Sequence, residues 1–259
     1  MKFNHLACIA ITALVGLPLT SSAQVLIHDT QSTATAQVPD PSVSFDVTGS
    51  TTTNSMVGVF IGLQDYGSVT LDSVTLDGVA MTEGIPLFAG SDIWGAFYYL
   101  QTQEAGANTI AVTTSGTSGN ERGMTVQGVV LNDVDTSATP LMNSAALSGS
   151  GSDLLLPLSP ASSGNAILGF GMFDSNLSVS SSYFASVDDA LGNKAFSGQE
   201  TDVSSGLQNV QFSLSGNDNA VGMSVSFAQI PEPSSAMLLL VGLSALVLGG
   251  RKARAVPRA

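Results

Sequence analysis

The chain has 259 residues, of which 20 are acidic and seven basic, with two histidines, one cysteine and a formal net charge of −13 at pH 7. Negative charge of this size repels phosphate backbones, and no basic stripe offsets it, so nucleic acid is excluded as a partner. The single cysteine, Cys8, lies in an N-terminal apolar run, so the chain beyond it has no disulfide, thiolate metal site or cysteine nucleophile.

At the N-terminus, Lys2 precedes an apolar run from Leu6 to Leu19, closed by Ser21-Ser22-Ala23. A charged start, an apolar middle and a small-residue end are the layout of a secretory signal peptide. Residues 1–23 are therefore expected to be removed between Ala23 and Gln24 after delivery to the secretory translocon. The apolar run is shorter than the roughly 20 residues of a membrane span. A lipoprotein reading of Leu6-Ala7-Cys8 fails, because almost no apolar segment precedes the cysteine.

Charge is distributed unevenly. Lys2, Arg251, Lys252, Arg254 and Arg258 sit in the two end segments, so between Gln24 and Ile230 only Arg122 and Lys194 face nineteen acids, a net −17. Acidity of this kind keeps an exported domain soluble.

The segment 24–229 favours Ser, Thr, Gly, Val and Asp over the usual surface-helix formers, a β bias. Val43-Ser44-Phe45-Asp46-Val47 alternates apolar and polar residues, which predicts a strand with one face on a core and one in water. Met56 to Leu63 is apolar without alternation, as expected of a strand buried on both faces. In Val74 to Met81 the pair Asp77-Gly78 separates two β-prone runs and predicts a tight hairpin with positive φ at the turn. Ile93 to Leu100, Met124 to Leu131 and Ala166 to Phe173 repeat the doubly buried pattern, and polar clusters at Ser115 to Asn120 and Ser148 to Ser152 separate strands. Val221 to Phe227 alternates strictly, so its serines are expected to face water. Many short strands with frequent turns predict an all-β sandwich or jelly roll.

The order of these features resembles a jelly-roll-like β-sandwich domain of bacterial secreted proteins. The resemblance is carried by the Val-Thr strand and Gly turn of Ser73 to Met81 and the aromatic strand Asp92 to Leu100. It continues through Ala105 to Val112, Val129 to Pro140 and Val221 to Phe227. It implies a fold over about 55–228 and no enzymatic activity.

Candidate chemistry is sparse. A hydrolase triad needs a base with a pKa near the working pH, and between the end segments only His28, beside Asp29, is of that type. Glycoside hydrolysis needs two suitably spaced carboxylates; the candidates are Asp188-Asp189, Asp133 with Asp135, and Asp72 with Asp77. Calcium could draw on the Asn132 to Asp135 and Val187 to Asp189 loops. Neither matches a spaced calcium-loop pattern, so solvated turn acids are the expectation, with no cofactor and no resident metal. Trp94, Tyr98 and Tyr99 are of the type that stacks on sugars, although Trp94 in so apolar a strand is expected in the core.

The C-terminal segment 230–259 changes character. Pro231-Glu232-Pro233 stops any strand and keeps the chain extended. Ser235 to Gly250, 16 residues, follows, and then the basic cluster Arg251, Lys252 and Arg254. As a helix the apolar stretch is about 24 Å long, close enough to the hydrocarbon thickness for snorkelling basic residues to complete a single transmembrane helix. The basic end stays cytoplasmic, so the Pro-Glu-Pro end faces the compartment that receives the body.

This tripartite tail resembles the PEP-CTERM sorting signal. The resemblance implies that exosortase, an integral-membrane transpeptidase-like enzyme of Gram-negative bacteria often linked to exopolysaccharide production, recognises Pro231, Glu232 and Pro233 and removes the tail. The expected protein is a non-enzymatic cell-surface or matrix protein, anchored in the inner membrane before processing. The alternatives are a carbohydrate-binding adhesin contacting exopolysaccharide and, further off, an extracellular hydrolase.

Overall fold

Asp77-Gly78 forms the expected turn: φ is 50° at Asp77 and 79° at Gly78, the double left-handed conformation of a two-residue hairpin. The Asp77 carboxylate accepts the Thr109 amide at 2.7 Å, and the Asp77 amide donates to the Thr109 carbonyl at 2.8 Å, so the turn is pinned to the neighbouring strand.

The computed structural model describes residues 26–35, 42–49, 54–64, 70–89, 93–102, 106–116, 123–135, 137–173, 178–184, 188–190 and 195–230. Among the described residues there is no helix, and the paired strands are antiparallel. They are β1 (Leu26–Thr35), β2 (Ser42–Gly49), β3 (Ser55–Gln64), β4 (Thr70–Leu76), β5 (Val79–Ala80), β6 (Thr82–Ala89), β7 (Ile93–Thr102) and β8 (Gly106–Ser115). Then follow β9 (Gly123–Asn132), β10 (Leu141–Leu155), β11 (Asn165–Phe173), β12 (Val179–Ser181), β13 (Asp188–Ala190), β14 (Ala195–Val203) and β15 (Gln211–Phe227). Gln24–Ile230 forms a compact unit of its own.

The architecture is a sandwich of antiparallel sheets, three of them among the described residues. A five-stranded sheet in the order β1-β9-β3-β7-β6 lies between a four-stranded sheet, β2-β8-β4-β5, and a six-stranded sheet, β10-β15-β11-β14-β13, in which β12 also pairs with β15. The central sheet explains the unbroken apolar runs: every residue of β3 is buried. Its Val57, Val59, Ile61 and Leu63 join Val43, Val47, Val74, Leu76, Ile110 and Val112 of the four-stranded sheet in one core. Met56 and Phe60 join β11 and β15 in the other. A four-stranded outer sheet with one wet face alternates instead, and β8 buries Asn108, Ile110, Val112 and Thr114 while the residues between them are half-buried.

Strand β11 is also buried throughout, for a different reason. β15 pairs its second half with β11 and the first half of β10, whereas its first half pairs with the end of β10 and with β12. The Leu156 amide donates to the Val210 carbonyl at 2.8 Å, and Gln208 and Leu158 exchange bonds of 2.7 and 3.0 Å, which extends this second ribbon. The ribbon packs over the outer face of β11 and of the second half of β15. A Cβ at Gly222 would lie 3.1 Å from Leu154, and one at Gly169 would lie 2.7 Å from the Phe212 ring.

That covering layer corrects one expectation. Ser224 and Ser226 alternate with apolar residues, yet both are buried rather than in water. The Ser224 hydroxyl donates to the Leu156 carbonyl at 3.0 Å, so this side chain is tolerated under a second layer because its hydrogen bond is made inside the protein, whereas the Ser226 hydroxyl has no partner among the described residues.

Candidate functional site

The end of the folded body is held by backbone bonds to the turn after β9. The Asp135 amide donates to the Ala228 carbonyl at 2.8 Å and the Ile230 amide to the Asp133 carbonyl at 3.2 Å, with Val134 and Gln229 bridged between them. The turn can do this because Asp133 adopts φ of 59°, a left-handed conformation that Asp tolerates better than most residues. The Val134 amide donates to the Asn54 carbonyl at 3.2 Å, which ties the turn to the start of β3.

Gln229 is fitted from the other side. Its amide donates to the Asn165 side-chain oxygen at 3.4 Å, which also accepts the Ser162 hydroxyl at 3.2 Å. Gly164, at φ 83°, has no room for a Cβ because the Gln229 carboxamide occupies the space. The chain is thus bonded to the body up to Ile230, one residue before Pro231. The motif residues Pro231, Glu232 and Pro233, the basic residues Arg251, Lys252 and Arg254, and the junction Ala23 to Gln24 lie outside the described residues, as does Ser235 to Gly250. No helix among the described residues is long and apolar enough to cross a membrane.

The other sequence candidates do not come together. His28 is in β1, an edge strand of the central sheet, where the register passes from Ile27 opposite Leu131 to Asp29 opposite Val130, leaving His28 as the extra residue of a bulge. Asp188 and Asp189 are in β13, opposite Ser197 and Phe196. Asp72 accepts the Ser115 hydroxyl at 2.7 Å and lies five residues before Asp77, about 16 Å along a strand. That exceeds the roughly 5–9.5 Å at which two carboxyls cooperate on a glycoside. The Asp135 carboxylate caps its own turn, accepting the Ser137 amide at 3.0 Å and hydroxyl at 2.5 Å. Among the described residues no three acidic, histidine or cysteine side chains cluster where they could share a metal ion.

The aromatic trio is divided by the pleat of β7. Trp94 and Tyr98 pack against the aliphatic core and Tyr99 against the aromatic one, so the three form no common stacking platform, and Trp94, expected in the core, is only half-buried at its margin. Tyr98 donates to Glu83 at 2.9 Å. Burial, followed by the hydrogen bond and charge of Glu83, pushes its hydroxyl up to about 12. Burial and the charge of Glu200 push Tyr183 to about 12 as well. Gln127 donates to the Ser197 hydroxyl at 2.7 Å across two sheets, beside a cleft lined by Phe60, Gln127, Leu168 and Ser197 whose cavity volume is about 10 Å³. That is room for about one water and far below the size of a ligand pocket. No local sequence signal marks these polar pairs, since the partners meet only after the sheets stack.

No protein-family model matches the chain, and no curated protein matches it.

Proposed function

We propose that this chain is an exported, non-enzymatic cell-surface or extracellular-matrix protein whose tail, 230–259, is a PEP-CTERM sorting signal read by exosortase. The observation that carries the reading is the succession Pro231-Glu232-Pro233, the apolar Ser235 to Gly250 and the basic Arg251, Lys252 and Arg254. A plain tail anchor needs the apolar stretch and the charges but not the proline pair. The body is read as a jelly-roll-like secreted domain carrying an added third sheet, delivered by the translocon and held at the inner membrane until processing, with exopolysaccharide as a surrounding polymer. The bonds of Ala228 and Ile230 to the Asp133 to Asp135 turn support a division of labour in which the fold ends where the signal begins.

Changing Pro231, Glu232 and Pro233 together to Ala leaves the leader and the apolar stretch intact. Export and insertion should therefore proceed while recognition fails, and the protein should accumulate uncleaved in the inner membrane. Deleting Ser235 to Ala259 should instead release a soluble body, since the basic stop and the apolar stretch are both gone. Cell fractionation with mass spectrometry of the mature termini reads both outcomes. Wild-type processing of the triple-alanine chain would reduce the motif to a linker and the tail to an ordinary anchor.

A further inference from the structure

We propose that the first half of β10, Leu141 to Leu147, is a self-association edge on which a second copy of this chain lays its own Leu141 to Leu147 antiparallel, joining two six-stranded sheets about a two-fold axis. A sheet edge exposes backbone donors and acceptors that invite another strand, and proteins that stay apart blunt their edges with charge, proline, bulges or brevity. Among the described residues, the other edge strands carry such devices. β1 has Asp29 and a bulge. β2 has Asp46, and β6 has Glu83, Pro86 and two register shifts. β5 has two residues, while β12 and β13 have three each, the last with two aspartates.

Leu141 to Leu147 has none of these. The stretch pairs residue for residue with Ser226 to Ala220 without a shift, contains no charge and no proline, and has β15 as its sheet neighbour on one side alone. Leu141 is 42% exposed despite its size.

Charge limits where two copies can meet. A body with net −17 between Gln24 and Ile230 repels a second copy across most of its surface, so copies meet most readily along a strand without acids. Glu83 of β6 is turned to Tyr98 on the aliphatic side of the central sheet, whereas β10 approaches β6 on the opposite side, where Met142 lies against Gly84. An antiparallel edge contact is its own complement, as a two-fold interface requires. With Ser144 on the axis, Leu141 stands opposite Leu147 of the second copy, Met142 opposite Ala146 and Asn143 opposite Ala145, so no like charges face each other and the small residues let the backbones approach.

The test is sedimentation velocity of the purified full chain in detergent, alongside Ser144→Lys. The wild type should sediment as a dimer at micromolar concentration. Ser144→Lys, at an exposed position, should keep the far-UV circular dichroism and weaken the dimer about tenfold or more, because it sets two like charges against each other on the axis. In a Cys8→Ser background, Ser144→Cys should be joined to itself by a short bismaleimide, and Val79→Cys, exposed in the four-stranded sheet on the other side of the central sheet, should not. A monomer at all concentrations, a dimer indifferent to Ser144→Lys such as one made through the apolar tail, or equal cross-linking from Val79→Cys would overturn the proposal.

Discussion

The two cores are packed on different principles. Toward the four-stranded sheet the buried core is aliphatic: Val43, Val47, Val57, Val59, Ile61, Leu63, Val74, Leu76, Ile110, Val112, Val126 and Val130, with Met81, Ala96 and Met124 and no buried phenylalanine. The other core is aromatic: Phe60, Phe97, Phe170 and Phe227 are buried between the central and six-stranded sheets, and Phe173, Phe184, Phe196 and Phe212 between β11 and the ribbon that covers its outer face. Phe60 stacks on Phe170 at 5.6 Å between ring centroids, and Phe196 meets Phe212 at 4.4 Å. Large rings under a close covering layer need holes, and glycines of β11 and β14 supply them: added Cβ atoms at Gly169, Gly171 and Gly198 would run into Phe212, Phe196 and Phe184. One core is thus many interchangeable branched side chains, and the other holds rings matched to gaps.

The difference predicts unequal tolerance. The largest effect is expected for Phe212→Ala, whose ring touches both Phe184 and Phe196; it should cost about 3–5 kcal/mol, measured by urea unfolding of a Gln24 to Ile230 chain. That chain should itself fold to a β-rich spectrum indifferent to reductant, and a helical or disordered spectrum would defeat both expectations.

A sharper comparison sets Gly171→Ala against Gly128→Ala. The first pushes a methyl into the flat of the Phe196 ring, held between Phe173 and Phe212, whereas the second meets the terminal carbon of Ile110 and a methyl of Val47, which can rotate aside. Gly171→Ala should cost about 1–3 kcal/mol and Gly128→Ala less. Phe196→Leu should partly rescue the former in a double-mutant cycle, since contacting residues couple. Equal costs, or additivity without rescue, would show that the two cores are packed alike.

The smallest effect concerns pH at the edge of the aliphatic side. Tyr98 has its folded pKa raised from 10 to about 12, so the native state holds its proton more tightly than the unfolded chain. The stability this represents is fully present below pH 10 and is lost as pH rises through 12. Absorbance titration near 295 nm should show Tyr98 ionising late, and Glu83→Gln should bring its midpoint down while leaving it above 10, because burial persists when the carboxylate charge is removed.

Much of the strand pattern is legible in the residues. Val43 to Val47 does put Val43 and Val47 inside and Ser44 and Asp46 outside, and Met56 to Leu63 and Met124 to Leu131 are strands buried on both faces, as continuous apolar runs suggested. Val221 to Phe227 reads equally clearly as one-sided and is not, because strict alternation reports a polar face but not what will cover it. The covering ribbon comes from residues 153–158 and 208–214, and nothing local in either segment states that it will fold across the strand it continues.

By itself the sequence determined the β class, the Asp77-Gly78 turn, the acidity and the tripartite ends. Each of these follows from residues adjacent in the chain, through backbone sterics, period-two alternation or bulk charge. Only the tertiary structure decided that three sheets stack rather than two, that Phe196 fits Gly171 from 25 positions away, and that Trp94, Tyr98 and Tyr99 part company across β7. It also decided that Leu141 to Leu147 is the edge left without charge, proline or bulge. These depend on which faces meet once distant strands pair, and many pairings satisfy the same local alternation, so the choice among them belongs to packing.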